Sequence, residues 1–144
     1  MRGLLVALAG TVLWLPSHLF SQSYGERDTD FRVSLSHRSE PPAGLEATIV
    51  TTNIYPCEGY TIRSGVTWEK DTISLHLFGF VRPSPCIQSG SEATGTAFVG
   101  TIRDSTFFFR ITYRGESDLH KVVVRKTRLS VTPIRSAFTE LRGF

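Results

Sequence analysis

Cysteine and histidine are the residue types in this chain with the widest chemical range, and few of either are present. Cys57 sits in "IYPCEGY", residues 54–60, and Cys86 in "RPSPCIQ", residues 82–88. Their separation is far from the C-x-x-C spacing of a zinc or dithiol redox site. In an oxidising compartment a lone pair of cysteines is expected to form a disulfide. Closing a loop of that length would stabilise the fold by about 3.6 kcal/mol in the chain-entropy treatment.

Beyond residue 23 the histidines are His37, His76 and His120, spread so widely that no two share the short spacing of paired metal ligands. No metal site and no cofactor are therefore expected. Ser74 and His76 lie two apart, with Asp71 close by, and on paper they sketch a nucleophile, base and orienting carboxylate. On a strand, however, residues two apart stand about 7 Å from one another, too far for proton transfer. A small secreted hydrolase is the weakest of the functional readings, and no catalytic residue is assigned. Glu58, Glu69 and Asp71 fall in turns, where solvated charge is the default, and "SGSEATG" lacks the lysine and following helix of a phosphate loop.

The elements that would position these residues follow from periodicity. "MRGLLVALAGTVLWLPSHLFSQS" has one cation at Arg2, an apolar run from Gly3 to Leu15, then Pro16 and small polar residues. That is the layout of a secretory signal peptide over residues 1–23, with cleavage near Ser23. The apolar run is short of the about 20 residues a membrane-spanning helix needs. The remainder is expected to be secreted, extracellular or periplasmic, with no transmembrane segment.

Residues 24–133 read as one domain and 134–144 as a C-terminal tail, either a helical turn capped by Ser136 or disordered. "DFRVSLSH" alternates apolar Phe31, Val33 and Leu35 with polar neighbours, the mark of a half-buried strand. "LEATIVTT", "YTIRSGVTW", "TISLHLFGFV", "TAFVGTI", "TFFFRITY" and "LHKVVVRK" continue the pattern, with "RLSVT" as its extension or a last strand. For the hairpin around "EKD", a four-residue turn from Glu69 to Thr72 sets Trp68 beside Ile73, Val66 beside Leu75 and Ile62 beside Gly79. This register gathers the apolar side chains on one face, whereas a slip by one would turn a strand inside out. It also leaves Cys57 opposite Ser84, two positions short of Cys86. Phe107, Phe109, Ile111 and Tyr113 share one face and are expected to fill the core.

Turn signals every eight to twelve residues and the lack of helical period point to an all-β fold. The expected architecture is an antiparallel β-sandwich, immunoglobulin-like, with one disulfide.

Charge is uneven. Residues 24–100 hold six Lys or Arg against nine Asp or Glu, a net of −3, while residues 101–144 hold nine against four, a net of +5. The run "KVVVRKTR", residues 121–128, has no aromatic residues interleaved with its cations, so nucleic acid is not expected as a partner.

The surface singled out is the pair of loops around the disulfide. Tyr55 and Tyr60 are low-entropy contact residues, Pro83 and Pro85 stiffen the second loop, and Arg82 and Ile87 offer a charge and an apolar anchor. The expected function is a secreted non-enzymatic binding or adhesion module for a protein or a cell-surface polysaccharide. The alternative is a secreted protease inhibitor that presents the loop 82–96.

Overall fold

The computed structural model describes residues 30–144. The expected signal peptide, the expected cleavage near Ser23 and the first residues of the expected domain lie outside the described residues. Nine strands carry the described chain: β1 (Phe31–Arg38), β2 (Gly44–Tyr55), β3 (Thr61–Glu69), β4 (Thr72–Val81), β5 (Ser91–Gly100), β6 (Ser105–Tyr113), β7 (Glu116–Arg125), β8 (Arg128–Arg135) and β9 (Thr139–Gly143). Among the described residues no helix is long and apolar enough to cross a membrane.

The alternation read from the sequence is the burial pattern of the strands. Phe31, Val33 and Leu35 of β1, Leu45, Ala47 and Ile49 of β2, and Phe107, Phe109, Ile111 and Tyr113 of β6 all point into one shared core. Val122 and Val124 of β7 join them, so most of the fold's stabilisation comes from a single interior. Tight turns set the hairpins. Arg114 and Gly115 both have positive φ, 48° and 81°, which gives the β6–β7 turn the twist that matches its flanking strands.

The strand order is β8-β7-β6-β4-β3-β5-β2-β1-β9, one sheet that nearly closes on itself as a barrel. The all-β, disulfide-bonded expectation stands. In place of two separate facing sheets, hydrogen bonding runs through all nine strands.

The path has one thin place. β3 and β5 pair only at Thr61 with Thr94, supported by the Thr94 N–H donating to the Tyr60 carbonyl at 3.1 Å. There β5 lies so close to β3 that a Cβ on Gly95 would sit 2.8 Å from the Ile62 carbonyl oxygen, which only glycine avoids. Farther along, the Trp68 indole N–H donates to the Val99 carbonyl at 3.0 Å and rejoins the two strands. At the opposite seam Gly143 of β9 rests against Leu129 of β8, and a Cβ there would come within 2.7 Å of the leucine Cβ. A sequence that reads as two sheets thus folds into two curved halves, β8-β7-β6-β4-β3 and β5-β2-β1-β9, joined at narrow seams.

This arrangement departs from an all-antiparallel fold. β4 with β6, β3 with β5 and β1 with β9 are parallel pairs. Each follows from the chain crossing between halves: β5 lies in the other half, so β6 returns beside β4 in the same direction. The segment 134–144 is also ordered. Ile134 and Arg135 finish β8, and β9 pairs in parallel with β1 from Phe31–Thr139 to Leu35–Gly143. Neither a helical turn nor a loose tail forms, because alternation too short to be seen in the sequence finds an open edge on β1.

In the β3–β4 hairpin Trp68 pairs with Ile73 and Val66 with Leu75, the register that collects the apolar residues. Past Arg63 a bulge at Phe78 shifts it by one, so Ile62 meets Phe80 rather than Gly79.

Candidate functional site

The bulge in β4 has a consequence at the mouth of the hairpin. With Thr61 opposite Val81, continuing the shifted register sets Cys57 across from Pro85 rather than Ser84, one position from Cys86. The two cysteines form the disulfide, with their Cα atoms 5.2 Å apart, within the range such a bridge spans without distortion. Cys57 is fully buried.

The loops it joins are the β2–β3 connection, 56–60, and the β4–β5 connection, 82–90. Both cross from one half of the barrel to the other, so the bridge ties crossover to crossover rather than only closing the end of a hairpin. A backbone hydrogen bond from Glu58 N–H to the Ile87 carbonyl, 2.9 Å, runs beside the disulfide, and the Ser89 N–H donates to the same carbonyl at 2.9 Å. Ser91 Oγ donates to the Cys57 carbonyl at 3.4 Å. The loops therefore share one frame.

On that frame the residues singled out from sequence divide into two groups. Tyr55 and Tyr60 are half-buried. Their rings stand 4.9 Å apart, Tyr55 lies 5.0 Å from Phe80, and the cluster packs on the core beneath the loops. They act as a floor. Arg82, Pro85 and Ile87 are exposed and Pro83 is half-buried against Gly59. The β5 strand begins at Ser91, so the loop expected over 82–96 ends earlier, and its second part is sheet.

Two apolar residues that the sequence reading passed over belong to the same end: Ile54 at the close of β2 and Val81 at the close of β4. Ile54 is 65% exposed and Ile87 62%, while Gly90 lies against the Ile54 side chain. An apolar residue left facing water at the end of an otherwise alternating strand was the available signal.

The sketched triad does not assemble. Ser74 is buried, and Asp71 is exposed in the hairpin turn, where it accepts a hydrogen bond from Thr72 Oγ1 at 3.2 Å. Both nitrogens of His76 are engaged by threonines, Nε2 with Thr67 Oγ1 at 2.8 Å and Nδ1 with Thr112 Oγ1 at 2.9 Å. The ring is a rivet across β3, β4 and β6. Among the described residues no group of three His, Cys, Asp or Glu side chains is placed to hold a metal ion.

Two buried titratable groups lie inside the barrel instead. The Asp118 carboxylate accepts hydrogen bonds from the N–H groups of Ala137, Phe138 and Thr139 and from the Thr139 hydroxyl, all at 2.8–2.9 Å. Burial pushes its carboxyl up, but these four donors outweigh it and hold it below the ordinary carboxylate value. His120, two residues on, is almost fully buried with Nδ1 lacking a hydrogen-bond partner. Burial pulls its pKa below the ordinary histidine value, against the opposing pull of Asp118 and the Phe109 backbone.

The run "KVVVRKTR" is split by the fold: Lys121 lies exposed along β7, while Arg125, Lys126 and Arg128 gather at the β7–β8 turn, at the end of the barrel away from the disulfide. The chain matches none of the family models, curated proteins or solved structures compared with it.

Proposed function

We propose that this chain is a secreted, non-enzymatic binding module that engages a protein partner through its disulfide-bridged end. The observation that supports this reading is the pair of crossover loops held in one frame by Cys57–Cys86 and the Glu58–Ile87 backbone hydrogen bond, with Ile54 and Ile87 left facing water. Exposed isoleucines on a pre-ordered surface suit a protein interface, because burying them on binding gains apolar free energy while little chain entropy remains to be lost. A disulfide is compatible with an oxidising location outside the cytoplasm. The half-buried Tyr55–Tyr60–Phe80 cluster supports the loops from below and offers partial aromatic contact at the rim.

The experiment is a pull-down from the secreted and envelope fractions of the native organism, with the wild-type chain and an Ile54→Ser/Ile87→Ser variant as paired baits. A partner held by the wild type and lost from the variant, with both baits equally folded by circular dichroism, is the expected result. Equal retention by both baits would remove the disulfide end as the interface.

A further inference from the structure

The far end of the barrel carries a second candidate surface, independent of the disulfide end. A cleft of about 620 Å³ opens there between the β1–β2, β5–β6 and β7–β8 connections, lined by His37, Arg38, Arg103, Asp104 and Lys126 among others. That volume lies in the range of sites that hold small ligands, roughly 300–1,000 Å³.

Local structure fixes its walls. Asp104 accepts a hydrogen bond from the Lys126 backbone N–H, which ties the β5–β6 crossover to the β7–β8 turn and places Arg103 and Lys126 on the same wall. Lys126 is in the left-handed region, φ 54°, at the first position of the two-residue β7–β8 turn. Thr101 Oγ1 donates to the Ala43 carbonyl at 3.0 Å and closes the remaining side.

Charge within this frame is unbalanced. Segments 101–104 and 125–128 carry Arg103, Arg125, Lys126 and Arg128 against Asp104 alone. Arg38 is neutralised by Glu46 at 3.2 Å, whereas among the described residues the side chains of Arg103 and Lys126 make no hydrogen bond or ion pair.

Aromatic surface lies at the edge of the cleft, against Gly44, which lines it, and against Gly100, next to lining Thr101. The Trp68 ring, 54% exposed, lies over Gly100, and the Phe98 ring, 37% exposed, lies over Gly44. A Cβ at Gly100 would stand 2.6 Å from the Trp68 ring and one at Gly44 2.9 Å from the Phe98 ring, so two glycines seat two half-exposed rings next to the cleft. Gly44 itself lines it.

Free cations in a cleft with flat apolar rings at its edge fit a ligand that combines anionic groups with C–H faces. The geometry points to an acidic oligosaccharide, bearing carboxylate or sulfate groups, as the ligand of this cleft. Arg103 and Lys126 would meet the anionic groups, with Trp68 or Phe98 against a sugar face. A single-stranded nucleic acid would call for successive rings along a cation-lined channel. Here the cations come from two neighbouring connections, and the two rings sit against Gly100 and Gly44 rather than in a row among them.

The test is binding of the full chain to four probes: an oligogalacturonate, dextran sulfate, neutral dextran and an oligothymidylate, by calorimetry at matched ionic strength. Binding of at least one acidic saccharide, none of neutral dextran, and weaker binding of oligothymidylate are expected. The oligogalacturonate and dextran sulfate arms distinguish carboxylate from sulfate recognition. Arg103→Gln/Lys126→Gln keeps Asp104 and the backbone bond, and should weaken acidic-saccharide binding about tenfold or more, while Ile87→Ser leaves it unchanged. Absence of saccharide binding, affinity unaltered in the double variant, or oligothymidylate binding as tight as the saccharides would overturn the proposal. Melting temperatures within a few degrees of wild type establish that each variant is folded.

Discussion

His120 and Asp118 show how two residues two apart on one strand respond differently to the same interior. A histidine whose pKa is lowered by folding binds its proton more readily in the unfolded chain. Its contribution is full above the ordinary histidine value of about 6.5 and is lost as pH falls from there through its lowered folded value. Asp118, also lowered, contributes fully above the ordinary aspartate value of 3.8 and loses that contribution as pH falls through its own folded value. The melting temperature is therefore expected to fall in two stages on acidification, and His120→Leu should flatten the first while leaving the second. A variant curve parallel to wild type from pH 7 to 5 would show that another group controls the first stage. Neither role was legible in the sequence. Asp118 precedes an apolar strand like any turn-flanking acid, and its four donors come from residues 137–139, a contact made only when β9 closes on β1.

At the scale of elements, local pattern carried much of the architecture and seams carried the rest. Period-2 alternation located β1 to β7, and pooling apolar residues on one face chose the β3–β4 register as far as Arg63, where the bulge intervenes. The bulge left only a faint trace, a change of phase in the apolar alternation from Leu77 to Phe80 with Phe78 as the extra residue, too short to separate from a run of apolar residues. The pairing of β4 with β6 and of β1 with β9 joins strands not adjacent in sequence, and single-chain periodicity is silent on such partners. The disulfide was legible from composition, but what it joins was not. Because it ties two crossovers, Cys57→Ser/Cys86→Ser should cost about 3.6 kcal/mol and lower the melting temperature by roughly 10 °C or more. A scanning-calorimetry shift of only a degree or two would show that the hydrogen bonds from the Glu58 N–H and the Ser91 hydroxyl hold the seam without the bridge.

For the whole molecule, the four passages of the chain between halves are each fastened: 56–60 and 82–90 by the disulfide, 101–104 by Asp104 and Thr101, and 136–138 by Asp118. The charge asymmetry along the sequence maps partly onto this plan, with Arg103, Arg125, Lys126 and Arg128 collected at the end opposite the bridge. The last fastening matters for solubility. Thr139 to Gly143 occupy the outer hydrogen-bonding edge of β1, and the Phe138 side chain is buried in the core beside Phe31. A chain ended after Arg135 would present β1 as a free template for another copy. It is expected to exchange strands or form higher oligomers in light scattering, whereas a truncated chain that stays monomeric and equally stable would make β9 dispensable. Residues 139–143 thus stand as a self-supplied blocking strand on the edge of β1, where a neighbour's strand would otherwise pair.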